Sequence, residues 1–515
     1  MANEGRDAAG AAAGAAGEAI GAPAVGAPAV GVAGGAAGGM GGAAGAPAIG
    51  AAGGAMISLQ PRREPIRRDA DRRITAAGLA VSATFLALAI GSAFLPAPER
   101  RGAWLPIHLA LPGAATVAIG AVLPFFIAAL AAARPGRPVV RIAVLGLLAS
   151  GALAVSGGVG LGSGPLATAG GLLFIAGLVG LGWLLVSILG GALGPQRGLL
   201  PRAYAAAIAN VIVGASLATL YVAGWTPILE AWGGLKPAHA WLNVFGFVGL
   251  VISATLVHLY PTVLGTRISL RPSVRLALGG LGAGPATVAL GYLVGSDPVA
   301  RAGALVVLAG AAALLWFLGQ AHRARGRWTT DAAWHRFSSW SLAAGAAWYA
   351  VGIALAAARV LAAGADPAGW AIDLVAAPLV IGFVLQVLVG SWTHLLPAVG
   401  PGDQPLHARQ RTALAIAANA RLAALNAGVG LLAIGLPTGL TPLVAAGGLA
   451  AAGALSAGVG LFARALLVGS GRGGRSLFGA DRIGADRIAA DRVGADRIGA
   501  DPAPEPPREA GQVGR

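Results

Sequence analysis

The amino-acid sequence predicts an all-α, polytopic membrane protein: a bundle of about twelve transmembrane helices. Three observations carry that prediction. The 515 residues are 56% hydrophobic and only 11% charged, whereas a soluble domain is about a quarter charged and needs that polar surface to face water. Twelve apolar segments reach the roughly 20 residues that cross ~30 Å of hydrocarbon. The segments between them are short, with no room for a soluble domain.

In chain order, residues 1–73 read as a disordered arm ending in a basic anchor. Ala/Gly/Pro repeats such as GAPAVGAPAVGVAGG bury too little apolar area to offset backbone ordering entropy. The start MANEGRD carries acids and lacks the basic n-region and apolar core of a signal peptide. RREPIRRDADRR (62–73) places six Arg before the first span. Residues 74–468 form the transmembrane region, with spans near 74–95, 104–133, 140–161, 166–193, 203–224, 239–263, 273–294, 299–320, 338–364, 371–399, 412–436 and 442–468. Gly and Ala recur within them, as in GGLGAGPATVALG, which suits close helix–helix approach in lipid. Residues 469–515 read as a disordered cytoplasmic tail. Its five-residue GADRI repeat matches neither helix nor strand period.

The +16 charge is mainly topology. Loops after even-numbered spans carry 14 Arg, and those after odd spans carry five basic residues. The positive-inside rule then puts both termini and the Arg-rich loops in the cytoplasm. The lipid bilayer is the implied partner. No basic–aromatic pattern points to nucleic acid, and the single Lys, Lys236, precludes a GKS/T phosphate loop.

Composition also limits the chemistry. With no Cys there is no disulfide, zinc ribbon, iron–sulfur cluster or thiolate haem ligand. The three Met (Met1, Met40, Met56) all precede the first span, so no thioether path for Cu(I) runs through the membrane. Any transition-metal or haem site there depends mainly on the seven His. His322, His335 and His407 lie among Arg in inner loops and read most simply as solvated.

The other four His fall at the ends of spans 2, 6 and 10: His108 and His239 at outer ends, His258 and His394 at inner ends. His239 and His258 are 19 residues apart on one helix, hence ~28 Å along its axis, and cannot share one ion. His258-Leu-Tyr-Pro261 and His394-Leu-Leu-Pro397 are near copies on spans four apart. Together with His108 they suggest three four-helix arcs about a pseudo-threefold axis. A His near a helix end is equally readable as a carbonyl cap or interfacial aromatic, with Pro ending the helix. Asn243, four residues beyond His239, shares its helical face.

With twelve spans, cytoplasmic termini and His on spans 2, 6 and 10, the chain resembles the haem–copper oxidase subunit I superfamily. The stretches WLPIHLALPGAATVAIGAVLPFF, HAWLNVFGFVGLVISATLVHLYPTVLGTRI and VLQVLVGSWTHLLPAVGPG are most similar to bacterial NnrS-like proteins and others loosely called copper oxidases. The resemblance implies a bacterial inner-membrane location, haem or copper as cofactor, and a redox or respiratory-chain partner. It also implies a role in redox, nitric oxide or copper stress handling. By it, His108 takes the position of a low-spin haem ligand and His239 that of a copper ligand. Asn243 stands where an oxygen-reducing subunit has Tyr, span 7 has no His, and span 10 has Asp373 near its outer end. No Glu lies in any of these spans. The expectation is therefore cofactor binding without oxygen reduction.

The candidate cofactor-binding residues are His108, His239, Asn243, His258, His394 and Arg421, with His239, His258 and His394 as candidate metal ligands. Arg421, about nine residues into span 11 by these boundaries, is a candidate for a haem propionate or an anionic substrate, or a side chain that snorkels. Asn210, Asn419, Asn426 and Gln386 read as interhelical hydrogen-bond glue. A secondary transporter with Arg421 lining its path, and a cofactor-free structural protein, are the alternatives.

Overall fold

In the computed structural model, residues 64–191, 198–266, 272–325, 332–399 and 403–470 are described. The N-terminal repeats and the C-terminal pentapeptide repeat lie outside them. The described residues are helical, with twelve helices long and apolar enough to span a membrane. These are α1 (Glu64–Ala93), α2 (Trp104–Leu130), α3 (Pro138–Gly160), α4 (Gly164–Gly190), α5 (Leu199–Val222) and α6 (Thr226–Leu264). They continue as α7 (Pro272–Val294), α8 (Asp297–Arg323), α9 (Ala333–Ala363), α10 (Ile372–Ala398), α11 (Ala418–Thr438) and α12 (Thr441–Ser470). A shorter, polar connecting helix, Gln404–Leu414, precedes α11.

The order of contacts repeats every four helices. The most extensive packing joins α3 to α4, α7 to α8 and α11 to α12. Glycine makes each of these hairpins close. A Cβ on Gly151 would stand 2.5 Å from the Phe174 amide nitrogen, one on Gly291 2.5 Å from that of Ala300, and one on Gly428 2.7 Å from that of Ala451. α4 touches α5, α8 touches α9, and α12 returns to α1, which closes the ring. α2, α6 and α10 fill the middle: 67%, 72% and 67% of their apolar windows are buried, against 28–56% for the other nine.

Each central helix is interrupted by a π-helical segment: Leu109–Ala115 in α2, Trp241–Gly249 in α6 and Ala377–Leu385 in α10. Pro112 and Pro378 lie within two of them, where the missing N–H and the ring's clash with the preceding turn favour a wider winding. In α6, Asn210 of α5 donates to the Gly246 carbonyl at 3.0 Å, satisfying an acceptor in the distorted stretch. The segment of α2 packs against both of the others. Positions 241 and 377, which open two π segments, stand 136 residues apart, as do His258 and His394. The tandem likeness of HLYP and HLLP is thus a repeat of whole helices, in line with the expected pseudo-threefold arcs.

Several expected boundaries move. Residues 64–73, read as the end of the disordered arm, are the opening turns of α1. Arg141, counted as a loop residue, is buried in the first turn of α3. Its Nη1 pairs with Asp71 at 2.8 Å and its Nη2 donates to Thr75 at 2.9 Å. A charge at that depth requires such partners. α6 starts at Thr226 with Pro227 in its first turn, a position where proline fits a helix start. His239 is therefore well inside a continuous helix and is not an end cap. α6 also runs through Pro261 to the left-handed Gly265 (φ 65°), so the Pro of HLYP does not stop it.

Candidate functional site

His108 is the last residue before the π segment of α2, and His239 lies two residues before that of α6. Those two π segments pack against each other, so both imidazoles border one helix–helix contact. His108 Nδ1 lies 2.8 Å from the Trp104 carbonyl oxygen one turn earlier. The Trp104 ring stacks on it, with centroids 4.0 Å apart and planes at 19°. His239 Nδ1 lies 2.8 Å from the Gly214 carbonyl of α5. Carbonyls only accept, so both contacts assign the proton to Nδ1 and leave the lone pair on Nε2.

Asn243 braces this arrangement. Its Nδ2 donates to the His239 carbonyl at 2.7 Å. The same nitrogen is 3.0 Å from His239 Nδ1; since Nδ1 already donates to Gly214, this is a contact and not a second hydrogen bond. A Cβ on Gly214 would fall 2.5 Å from Asn243 Nδ2. Glycine at 214 thus lets His239 and Asn243 share one surface of α5. Trp232, stacked on Tyr221 at 4.1 Å, closes the site on the side of His239.

The inner-end histidines are arranged differently. His258 sits edge-on to Phe126 of α2, centroids 6.3 Å apart, and both its ring nitrogens are buried without a hydrogen-bond partner. His394 lies 6.0 Å from His335 and 6.3 Å from Trp334, centroid to centroid, and its Nδ1 is likewise unpartnered. Among the described residues no ring contact joins His258 to His394, and no group of three or more His, Cys, Asp or Glu is placed to hold a metal ion. The candidate ligands His239, His258 and His394 are therefore not one centre. His335, read as solvated, is 3% exposed because the start of α9 is packed inside the bundle. His322 accepts or donates at 2.7 Å with Tyr260 of the HLYP motif.

A cavity of about 100 Å³ lies between α1, α2, α6 and α10, on the His258 and His394 side of the π segments. Its wall is almost wholly apolar, from Leu123 and Phe126 through Leu259 to Leu388, with Thr255 and Ser391 at equivalent places on α6 and α10. None of the candidate His, nor Arg421, forms part of its wall.

Arg421 is placed by a break the sequence does not announce. Ala417 takes a left-handed conformation (φ 49°) between the connecting helix and α11. Arg421 is therefore on the first turn of α11 and not nine residues deep. Its Nε donates to the Ile416 carbonyl at 3.0 Å, its Nη2 to that of Leu414 at 2.7 Å, and its guanidinium lies 4.1 Å from the centre of the Phe337 ring. It satisfies carbonyls freed at the end of the connecting helix and is 5% exposed.

Of the four expected glue residues, Asn210, Asn426 and Gln386 act as such and Asn419 does not. Asn426 Oδ1 accepts from Trp348 Nε1 at 2.9 Å and from Gln386 Nε2 at 3.4 Å, tying α9, α10 and α11 together. Asn419 is exposed.

The geometry thus joins His239 and Asn243 directly and sets His108 beside the neighbouring π segment, so three of the six candidates border one helix contact. Sequence reasoning missed the supporting carbonyl of Gly214, for which no local signal exists. It also missed Trp104, whose four-residue spacing from His108 could have suggested a stacked pair. Compared with known proteins, the chain matches no family model and no curated protein.

Proposed function

We propose that this polytopic membrane protein holds a haem iron or a copper ion through His108 and His239, at the end of the bundle where α2 and α6 meet. The observation that supports this most is that both imidazoles have Nδ1 tied to a backbone carbonyl. That arrangement is typical of metal-ligating histidine, because it fixes the tautomer and aims a neutral Nε2 outward. The donor set fits either group: imidazole serves both haem iron and copper, and the absence of thiol and thioether donors leaves nothing to compete. Asn243 positions His239. Among the described residues no third His, Cys, Asp or Glu joins the two imidazoles, so a group held there would keep open coordination positions.

Bound there, the metal supplies one-electron redox chemistry. With Asn243 where an oxygen-reducing subunit has Tyr, the role is redox, nitric oxide or copper stress handling without oxygen reduction, alongside a respiratory-chain partner. The Arg excess at the opposite end supports a cytoplasmic orientation for that end, in a bacterial inner membrane by the family resemblance. The permease reading has Arg421 or the Asn419/Asn426 face lining a path; the Arg421 guanidinium is committed to two carbonyls, which weakens the first of these.

Detergent-purified protein from haem- and copper-replete cells should show a Soret band or stoichiometric copper, diminished in His108→Ala and His239→Ala. A colourless, metal-free preparation overturns the proposal.

A further inference from the structure

A second cluster lies at the Arg-rich end of the bundle, away from His108 and His239. Trp334 and His335 occupy the first turn of α9, His394 the last turns of α10, and Arg411 the connecting helix. The Trp334 ring is the platform: His335 meets it edge-on at 5.1 Å, His394 lies 6.3 Å away, and the Arg411 guanidinium carbon stands 5.3 Å from its centre. Stacking on an aromatic face holds a guanidinium while leaving its N–H edge available.

That edge is not used internally. Arg411 Nε is buried and without a hydrogen-bond partner, and so is His394 Nδ1. Leaving a buried donor of a cationic group unsatisfied is strongly unfavourable. An unpartnered guanidinium N–H and an unpartnered imidazole nitrogen beside one ring mark a place for a polar group from outside the chain, to which the imidazole donates in its Nδ1–H tautomer. His335 is 3% exposed and packs edge-on against Trp334, so it forms a wall of the site. The first turn of a 31-residue helix adds a positive dipole end.

We infer that Trp334, His335, His394 and Arg411 form a binding site for a phosphate-type anion. A metal ion suits this place poorly: two imidazoles are its only grouped ligands among the described residues, and the guanidinium repels a cation. A guanidinium edge and an imidazole N–H instead match the oxygens of a phosphate. The site lies at the terminal turns of two membrane helices, the depth of lipid headgroups. An anionic lipid phosphate and a free phosphate solute share this chemistry.

Full-length protein in phosphatidylcholine nanodiscs separates the two sources. In one arm inorganic phosphate is titrated; in the other, phosphatidylglycerol replaces part of the lipid. Thermal unfolding and native mass spectrometry are the readouts. One arm should raise Tm, and Arg411→Gln and His394→Gln should each weaken that response about tenfold, the scale of one lost charge-assisted hydrogen bond. Arg411→Lys should restore part of it, and Arg409→Gln, on an exposed neighbour of the same helix, should leave it intact. No response in either arm, an equal response in Arg411→Gln and Arg409→Gln, or stabilisation by zinc instead of phosphate overturns the assignment. Haem or copper content is a separate readout and should be unchanged in all four variants.

Discussion

The two ends of the central helices carry histidines of the same kind in opposite states. At one end, His108 and His239 each have Nδ1 fixed to a carbonyl and Nε2 left over. At the other, His258 has neither nitrogen partnered, and His394 has its Nδ1 without one. All four stand beside aromatic rings on helices of one repeating architecture. His108 takes the Trp104 carbonyl of its own helix; for His239 the difference is what lies across the helix interface. Gly214 on α5 brings a bare carbonyl within 2.8 Å of His239, whereas His258 meets the ring of Phe126, which offers no acceptor. A histidine ligand is therefore made by its neighbour's backbone as much as by its own place in a helix.

The largest effect that could break this comparison is loss of cofactor. His108→Ala and His239→Ala should each abolish most of the Soret absorbance or bound copper, while His258→Ala should retain it. Equal loss in all three, by optical spectroscopy and metal analysis of purified protein, would mean that the tether to a carbonyl is irrelevant.

Gly214→Ala tests the tether with both imidazoles in place. The new Cβ would meet the Asn243 amide at 2.5 Å, so that side chain must turn away and His239 loses its brace. Cofactor occupancy should fall several-fold, toward the 10–100-fold range seen when outer-shell partners are removed. Gly233→Ala, whose Cβ meets nothing within 4 Å, should leave occupancy unchanged.

Smaller effects fall on stability alone. Arg421→Gln removes the guanidinium from two carbonyls and should lower unfolding stability by about 1.5–3 kcal/mol, read as a lower Tm in detergent at unchanged cofactor content. A drop in cofactor at constant Tm would return Arg421 to the site. Least of all, Asn426→Ala should lower stability by roughly 0.6 kcal/mol, the average for interhelical hydrogen bonds in lipid, by the same thermal assay.

Much of the architecture was legible because hydropathy is a local sum. Twelve apolar runs became twelve helices, and the HLYP and HLLP copies pointed correctly to a repeat every four spans. Legibility failed where local composition misleads. Trp232, Lys236 and Pro237 look like a loop, yet they continue α6 outward from His239. RTALAIAANAR is apolar enough to pass for the start of a span, yet it breaks at Ala417 and sets Arg421 on a first turn. His335 and Arg141 sit in polar surroundings along the chain but are buried by helices distant in sequence.

The sequence by itself determined the membrane, the number of spans, their repeat, and histidine as the only abundant soft-metal donor. Only the tertiary structure decided which histidines have Nδ1 tied to a carbonyl. The tautomer of His239 is set by a carbonyl 25 residues away, and the exposure of a buried nitrogen by rings on other helices. Hydrogen-bond partners across a helix interface depend on distances of a few tenths of an ångström, which no pattern along the chain encodes.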